Sequence, residues 1–209
     1  MIILVSTSGF WSLLSPDELA HVGILNNPRT SLCWKSALSR GVPVCADNGA
    51  YVGFKPGRFR AFCERIPRPI PHLFKWIAVP DVVGDARETL ARFKQWEPWL
   101  GGLGLPLAFV AQDGAEKEGV PWDDIAALFI GGTTQWKLSV HACDLVRQAK
   151  RRGKWAHMGR VNSWRRIRTA NQWGCDSVDG SAYSAFWQRH LRKGIMQIQA
   201  EESRLLLPF

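Results

Sequence analysis

Short apolar runs alternate with amphipathic stretches along the whole chain. Residues 1–6 form a β-rich run. Residues 15–25 predict a helix, with Ser15 as an N-cap before Pro16 and Asp17. A second helix is predicted over 30–39. Residues 43–47 predict a strand that stops at Asn48-Gly49, residues 57–66 a helix, and residues 76–81 a strand ending on Pro80-Asp81. Within 86–100, Ala86, Leu90, Phe93 and Trp96 fall near one face, which is helical spacing. Pro98 leaves the end of that helix open. Strands follow over 106–111 and 126–130, the latter closed by Gly131-Gly132. Leu138, Ala142, Leu145, Val146 and Ala149 mark an amphipathic helix. A strand over 154–158 precedes a helix over 162–173, which Gly174 ends in the usual C′ position. The last strand is predicted over 175–178 and the last helix over 182–193. Residues 67–71 and 101–106 read as loops.

That order amounts to about seven strand–helix units. Strands alternating with helices imply a parallel sheet covered by helices. Seven or eight such units predict a compact α/β fold, a (β/α) barrel of the TIM type with seven to eight parallel strands. The chain, 209 residues long, is short for such a barrel, so one strand or helix is expected to be missing or irregular. No repeat or linker divides residues 1–209, which read as one domain.

Composition narrows the classes. A formal charge of +9, from 27 Lys+Arg against 18 Asp+Glu, favours a polyanionic partner, above all nucleic acid. Charged residues at 22% and hydrophobic residues at 46% argue against bulk disorder. The five cysteines are odd in number and form no CxxC pair. Neither a disulfide framework nor a structural zinc site is expected, and reduced thiols in a cytoplasmic protein fit best. The start, MIILVSTSGF, lacks a basic leader and reads as no signal peptide. No run of about eighteen apolar residues occurs, so no membrane span is expected. Nothing in the chain calls for a cofactor.

The polar residues at strand ends carry the chemistry. Asp47, Asp81, Gln112 with Asp113, Gly131 with Gly132, His157 with Met158, and Asp179 each follow or end a predicted strand. Taken alone, each Asp is a turn former or helix cap, as Asp85 is before 86–100. Met158 alone is core filler, and His157 alone is a satisfied, partly buried histidine. In a parallel barrel, however, these strand ends share the face where active sites sit.

In that order the strand ends resemble the tRNA-guanine transglycosylase superfamily. Asp47-Asn48-Gly49-Ala50-Tyr51 is similar to the family's Asp-Ser-Gly-Gly-aromatic motif. Asp81 resembles its guanine-reading Asp, Gln112-Asp113-Gly114 its Gln-Gly segment, and Gly131-Gly132-Thr133 its Gly-Gly-Leu loop. The segment HMGRVNSWRRIRTANQWGCDSVDGS resembles its Met-Gly, helix, Gly-x-Asp-x-x-Asp run. The likeness spans roughly residues 40 to 185. The chain departs from the tRNA enzymes in lacking their Cys-rich zinc site and in carrying Ala182-Tyr183-Ser184 where they have Pro-Thr-Arg. It is also much shorter. In these respects it resembles the phage and bacterial relatives that insert 7-deazaguanines into DNA.

The resemblance implies that Asp179 attacks sugar C1′ to form a covalent intermediate, as in retaining glycoside chemistry. Asp47 would then handle the protons of the two bases. Asp81 would accept from guanine N1 and its 2-amino group. Gln112 or Asp113, with the Gly132 backbone N–H, would contact O6. Gly131-Gly132 would let the backbone approach, and Tyr51 and Met158 would sandwich the ring of a flipped base. Lys137 reads as a solvated lysine at a helix start. A cation there would repel an aminomethyl base, favouring a neutral nitrile base (preQ0-like). Arg160, Arg165, Arg166 and Arg168 are the candidate phosphate contacts. The expected partners are DNA ahead of tRNA, and a free 7-deazaguanine base. Two other readings stay open: a barrel enzyme for a small phosphorylated metabolite, with Gly131-Gly132-Thr133 as a phosphate turn, and a non-catalytic nucleic-acid-binding module.

Overall fold

Strands and helices alternate in the computed structural model of the chain, which describes residues 1–205 apart from 8, 30–33, 35–36, 38 and 67–72. The strands are β1 (Ile2–Val5), β2 (Val22–Asn26), β3 (Val44–Ala46), β4 (Phe74–Ala78), β5 (Leu107–Ala111), β6 (Ala127–Ile130), β7 (Trp155–Met158) and β8 (Ser177–Asp179). Each pairs in parallel with the next. β8 then pairs with β1 through Ile3↔Val178 and Leu4↔Asp179, which closes an eight-stranded barrel. The helices are α1 (Pro16–Leu19), α2 (Pro56–Glu64), α3 (Ala86–Gly102), α4 (Ala115–Glu118), α5 (Thr134–Lys137), α6 (Val140–Arg151), α7 (Trp164–Trp173), α8 (Ser181–Ala185) and α9 (Trp187–Leu205). The helix expected over 30–39 lies largely outside the described residues, as does the loop over 67–71.

β2 is the strand that sequence pattern alone hides. Residues 15–25 divide into a single helical turn and a strand. The turn is real: the Ser15 hydroxyl accepts from the Glu18 N–H, and Glu18 returns a bond to the Ser15 N–H. It stops at Leu19, and Val22–Asn26 pairs with β1 on one side and β3 on the other. The short apolar run over residues 22–25 has no diagnostic period, so ladder partners on both flanks decide its conformation. α3 runs through Pro98 to Gly102, because Phe93, Trp96 and Leu100 are buried against the core on both sides of it. The helix expected over 182–193 is two helices, α8 and α9.

Strand side chains alternate between the two faces of the barrel wall. Outward residues such as Ile3, Val5, Ile24, Phe109, Leu128, Met158 and Val178 join the core shared with the helices. Inward residues Leu4, Leu25, Cys45, Trp76, Ala78, Ala108, Val110 and Ala127 form a second apolar cluster that plugs the barrel. Cys45, Cys63, Cys143 and Cys175 are buried free thiols, and Cys33 lies outside the described residues. No helix among the described residues is long and apolar enough to cross a membrane.

The plug makes β2 sensitive to volume. A Cβ on Gly23 would lie 2.5 Å from Leu4 Cδ2 and 3.0 Å from the Pro43 carbonyl oxygen. Gly23→Ala is therefore expected to lower stability by about 1–3 kcal/mol, the usual cost of overpacking. Gly57→Ala meets nothing within 4 Å and is the control. Denaturant titration checks both, as a fall in midpoint at constant slope for Gly23→Ala only.

Candidate active site

At the C-terminal end of the barrel the inward positions turn polar. The alternation that carries Leu4, Leu25, Val110 and Phe129 inside continues to Ser6, Asn27, Gln112 and Gly131. Together with Asp47, Asn48, Asp81 and Asp179 they line a cavity of about 420 Å³. Leu4, Leu25, Val110 and Phe129 belong to, or pack on, the barrel plug and give the cavity an apolar floor. Tyr51, Arg29, Arg160 and Asn162 also contribute to its lining. Such a volume falls within the roughly 300–1,000 Å³ of small-molecule clefts.

Asp81 is braced from both sides. Its Oδ1 accepts from Asn48 Nδ2 at 2.8 Å and its Oδ2 from Gln112 Nε2 at 2.6 Å. Asn48 is itself held by the Val79 carbonyl and the Ala50 N–H. Gln112 Oε1 accepts from the Gly84 and Gly132 N–H groups, both at 2.9 Å. Arg92 donates to the Asp81 carbonyl at 2.8 Å. Burial pushes the Asp81 pKa up, while the bonds from Asn48 and Gln112 and the charge of Arg92 oppose the rise. Gly131 makes room for this network, since a Cβ there would stand 2.7 Å from Gln112 Nε2.

Asp47 follows β3, and its Oδ1 accepts from the Asn48 N–H at 2.8 Å. Burial, then the charges of Asp179 and Asp81, raise its pKa to about 7. Asp179 ends β8. Its Oδ1 accepts from the Arg160 N–H at 3.1 Å and meets His157 Nε2 at 3.1 Å. Among the described residues its Oδ2 receives no hydrogen bond. Arg160 has a left-handed backbone, φ 57, uncommon outside glycine. Its guanidinium lies 4.6 Å from the Tyr51 ring centroid and donates to the Gly132 carbonyl.

Tertiary structure thus gathers Asp47, Asp81, Gln112, Gly131, Tyr51, Arg160 and Asp179 around one cavity. Three expected contacts stand elsewhere. Met158 points outward into the helix-facing core and is fully buried, so it cannot pair with Tyr51 across a base. The preceding residue, His157, has the inward parity. Asp113 accepts from the Thr133 N–H and hydroxyl at 2.7 and 2.6 Å, which ties down a loop rather than facing the cavity. The Gly132 N–H is already engaged with Gln112.

The arginines also divide. Arg165 is exposed. Arg166 donates to the Arg160 carbonyl, and Arg168 pairs with Glu201. Lys137 is not solvated: only 1% of it is exposed, and its Nζ donates to the Gly159 carbonyl. Burial, then Arg160, lower its pKa to about 7.

Asn48, Arg92 and the surroundings of His157 are features of the site that strand-end position alone does not assign. The signal for His157 and Ser177 was period-two parity with Asp179. Gln112 was marked by its place after a strand, but that it and Asn48 brace Asp81 depends on loops far apart in the chain and left no sequence trace. No group of three or more His, Cys, Asp or Glu among the described residues is arranged to hold a metal ion. No protein-family model and no curated protein matches the chain.

Asp47 gives a pH-dependent readout. A folded pKa raised from the ordinary carboxylate value near 4 to about 7 means the native state binds the extra proton between those values. Stability therefore falls as pH rises through that window and stays lower above it. Asp47→Asn removes this titration while keeping an acceptor for Asn48. It is expected to gain about 1–3 kcal/mol at pH 8, discounted for partial exposure, and almost nothing at pH 4. Denaturation curves at both values check it; equal differences at the two would refute the linkage.

Proposed function

We propose that the protein is a nucleic-acid guanine transglycosylase that exchanges guanine in DNA for a 7-deazaguanine base through a covalent aspartyl-sugar intermediate. The observation that carries the reading is the shared cavity. Asp47 and Asp179 both line it, beside an Asp81 whose two oxygens are oriented by Asn48 and Gln112.

In the first half-reaction Asp179 Oδ2 attacks C1′. The C1′–N9 bond breaks with its electron pair on guanine, and Asp47 delivers a proton to the leaving base. A carboxyl group with a pKa near 7 holds a substantial protonated fraction at neutral pH and suits that role. In the second half-reaction the ionised Asp47 takes the N9 proton of the incoming base. N9 then attacks C1′, and Asp179 leaves as a carboxylate. Asp81 keeps lone pairs for the N1 and 2-amino hydrogens of guanine. Tyr51 and Arg160 offer flat surfaces for stacking at the cavity.

The incoming base is proposed to be uncharged at its substituent, as a nitrile is. Lys137 does not line the cavity, but Arg160 does, and its permanent positive charge disfavours an aminomethyl group. The phosphorylated-metabolite reading loses its main support. The Gly132 and Thr133 amides, which would hold a phosphate, are engaged with Gln112 and Asp113. A purely binding role leaves unexplained why three carboxylates converge on one cavity at an energetic cost.

Exchange of radiolabelled guanine into DNA and, in parallel, into tRNA tests the reading. Asp179→Asn is expected to lower exchange by at least about 10³-fold, as loss of a nucleophile does, with DNA affinity nearly intact. Incorporation into neither polymer rejects the function, and full activity of the variant rejects the nucleophile. If DNA backbone crosses the exposed arginine, Arg165→Ala is expected to reduce the salt slope of DNA binding by about 1. Arg168→Ala, whose charge is paired with Glu201, is expected to change it less. Equal slopes for wild type and Arg165→Ala would remove Arg165 from the interface.

A further inference from the structure

Behind Asp179 a line of side chains runs down inside the barrel. Trp155 and His157 occupy alternate positions on β7, and Ser177 and Asp179 do so on β8, so all four share the inward face. Trp155 Nε1 donates to Ser177 Oγ at 2.8 Å. Ser177 Oγ lies 2.9 Å from His157 Nδ1, and His157 Nε2 lies 3.1 Å from Asp179 Oδ1. His157 has no solvent exposure. Its ring lies 4.8 Å from Trp76 and 4.4 Å from Phe129, centroid to centroid.

Donor and acceptor chemistry gives the line a direction. An indole nitrogen only donates, so Ser177 Oγ accepts there. The serine proton is then available to Nδ1. That leaves Nε2 as the protonated ring nitrogen, facing the carboxylate. The two aromatic neighbours restrict the ring, and the serine sets its tautomer.

We propose that His157 is a positioning residue for Asp179: it holds Oδ1, together with the Arg160 N–H, and so leaves Oδ2 as the oxygen presented to substrate. Its kinetic consequence rests on the transglycosylase reading; its geometry does not. With Oδ1 held by two donors, the carboxylate cannot rotate to exchange its oxygens. The same donors stay on Oδ1 while the sugar ester exists, and they stabilise the carboxylate that leaves in the second half-reaction.

Two measurements test this. Two-bond proton–nitrogen NMR of the full-length protein is expected to show His157 protonated at Nε2 alone. That proton should shift in Asp179→Asn, and the single tautomer should be lost in Ser177→Ala. A ring protonated at Nδ1, or a tautomer mixture in the wild type, overturns the proposal whatever the enzyme does.

Kinetics then separate positioning from packing. His157→Phe keeps ring volume without a donor, and kcat for guanine exchange is expected to fall about 10–100-fold, the effect of losing one hydrogen bond to a charged group. KM for the free base should be unchanged. His157→Gln reaches the Nε2 position with an amide N–H and is expected to recover most of kcat. His157→Asn, whose amide reaches only the Nδ1 position, is expected to behave like Phe. Thermal midpoints of the three variants report folding. Equal kcat in all three overturns the proposal. Absence of exchange by the wild type rejects the transglycosylase reading instead, and the tautomer result alone then decides the His157–Asp179 pairing.

Discussion

Closure of the parallel ladder between β8 and β1 is the constraint on which the rest depends. Leu4↔Asp179 pairing at that seam brings the last strand beside the first. With the ring closed, every strand has partners on both sides and every side chain points either to the plug or to the helices. The wall cannot slip by one residue without exchanging the two cores. A fixed register then places strand ends from residues 47 to 179 around a single cup, although they are far apart in the chain.

That cup gathers negative charge over an apolar floor. Asp47, Asp81 and Asp179 would repel one another if all were ionised without compensation. Each meets the problem differently. Asp81 receives hydrogen bonds on both oxygens and Asp179 on one, while burial makes both Asp47 and Asp81 hold a proton more tightly, Asp47 with a pKa of about 7. Three carboxylates of identical covalent structure thereby acquire three chemical characters.

Positive charge is organised as well. Arg160 joins Asp179, the Gly132 loop and Tyr51 through its backbone N–H, its guanidinium and its stacking face. Lys137 and Arg166 hold the carbonyls of Gly159 and Arg160. The formal surplus of +9 is thus not all free for a polyanion. Part of it is structural, and Arg168, closed onto Glu201, belongs to that part.

Strand–helix alternation and strand-end polarity were legible in the chain because both are local. Seven strands, the Ser15 cap and the Asp47, Asp81, Gln112 and Asp179 positions follow from short-range pattern. β2 was not legible, because an apolar run as short as residues 22–25 suits a helix or a strand until neighbours offer hydrogen bonds. Met158 was misplaced by one step of strand parity, which a prediction of element type does not resolve. The burial of Lys137 is not legible in the sequence, because burial depends on what packs above it. The sequence by itself determined the barrel class and the carboxylates at its strand ends. Only the tertiary structure decided which side chains face the cavity, which are engaged with one another, and that burial raises the proton affinity of Asp47 and Asp81. Those outcomes depend on distances and dielectric between residues far apart in the chain.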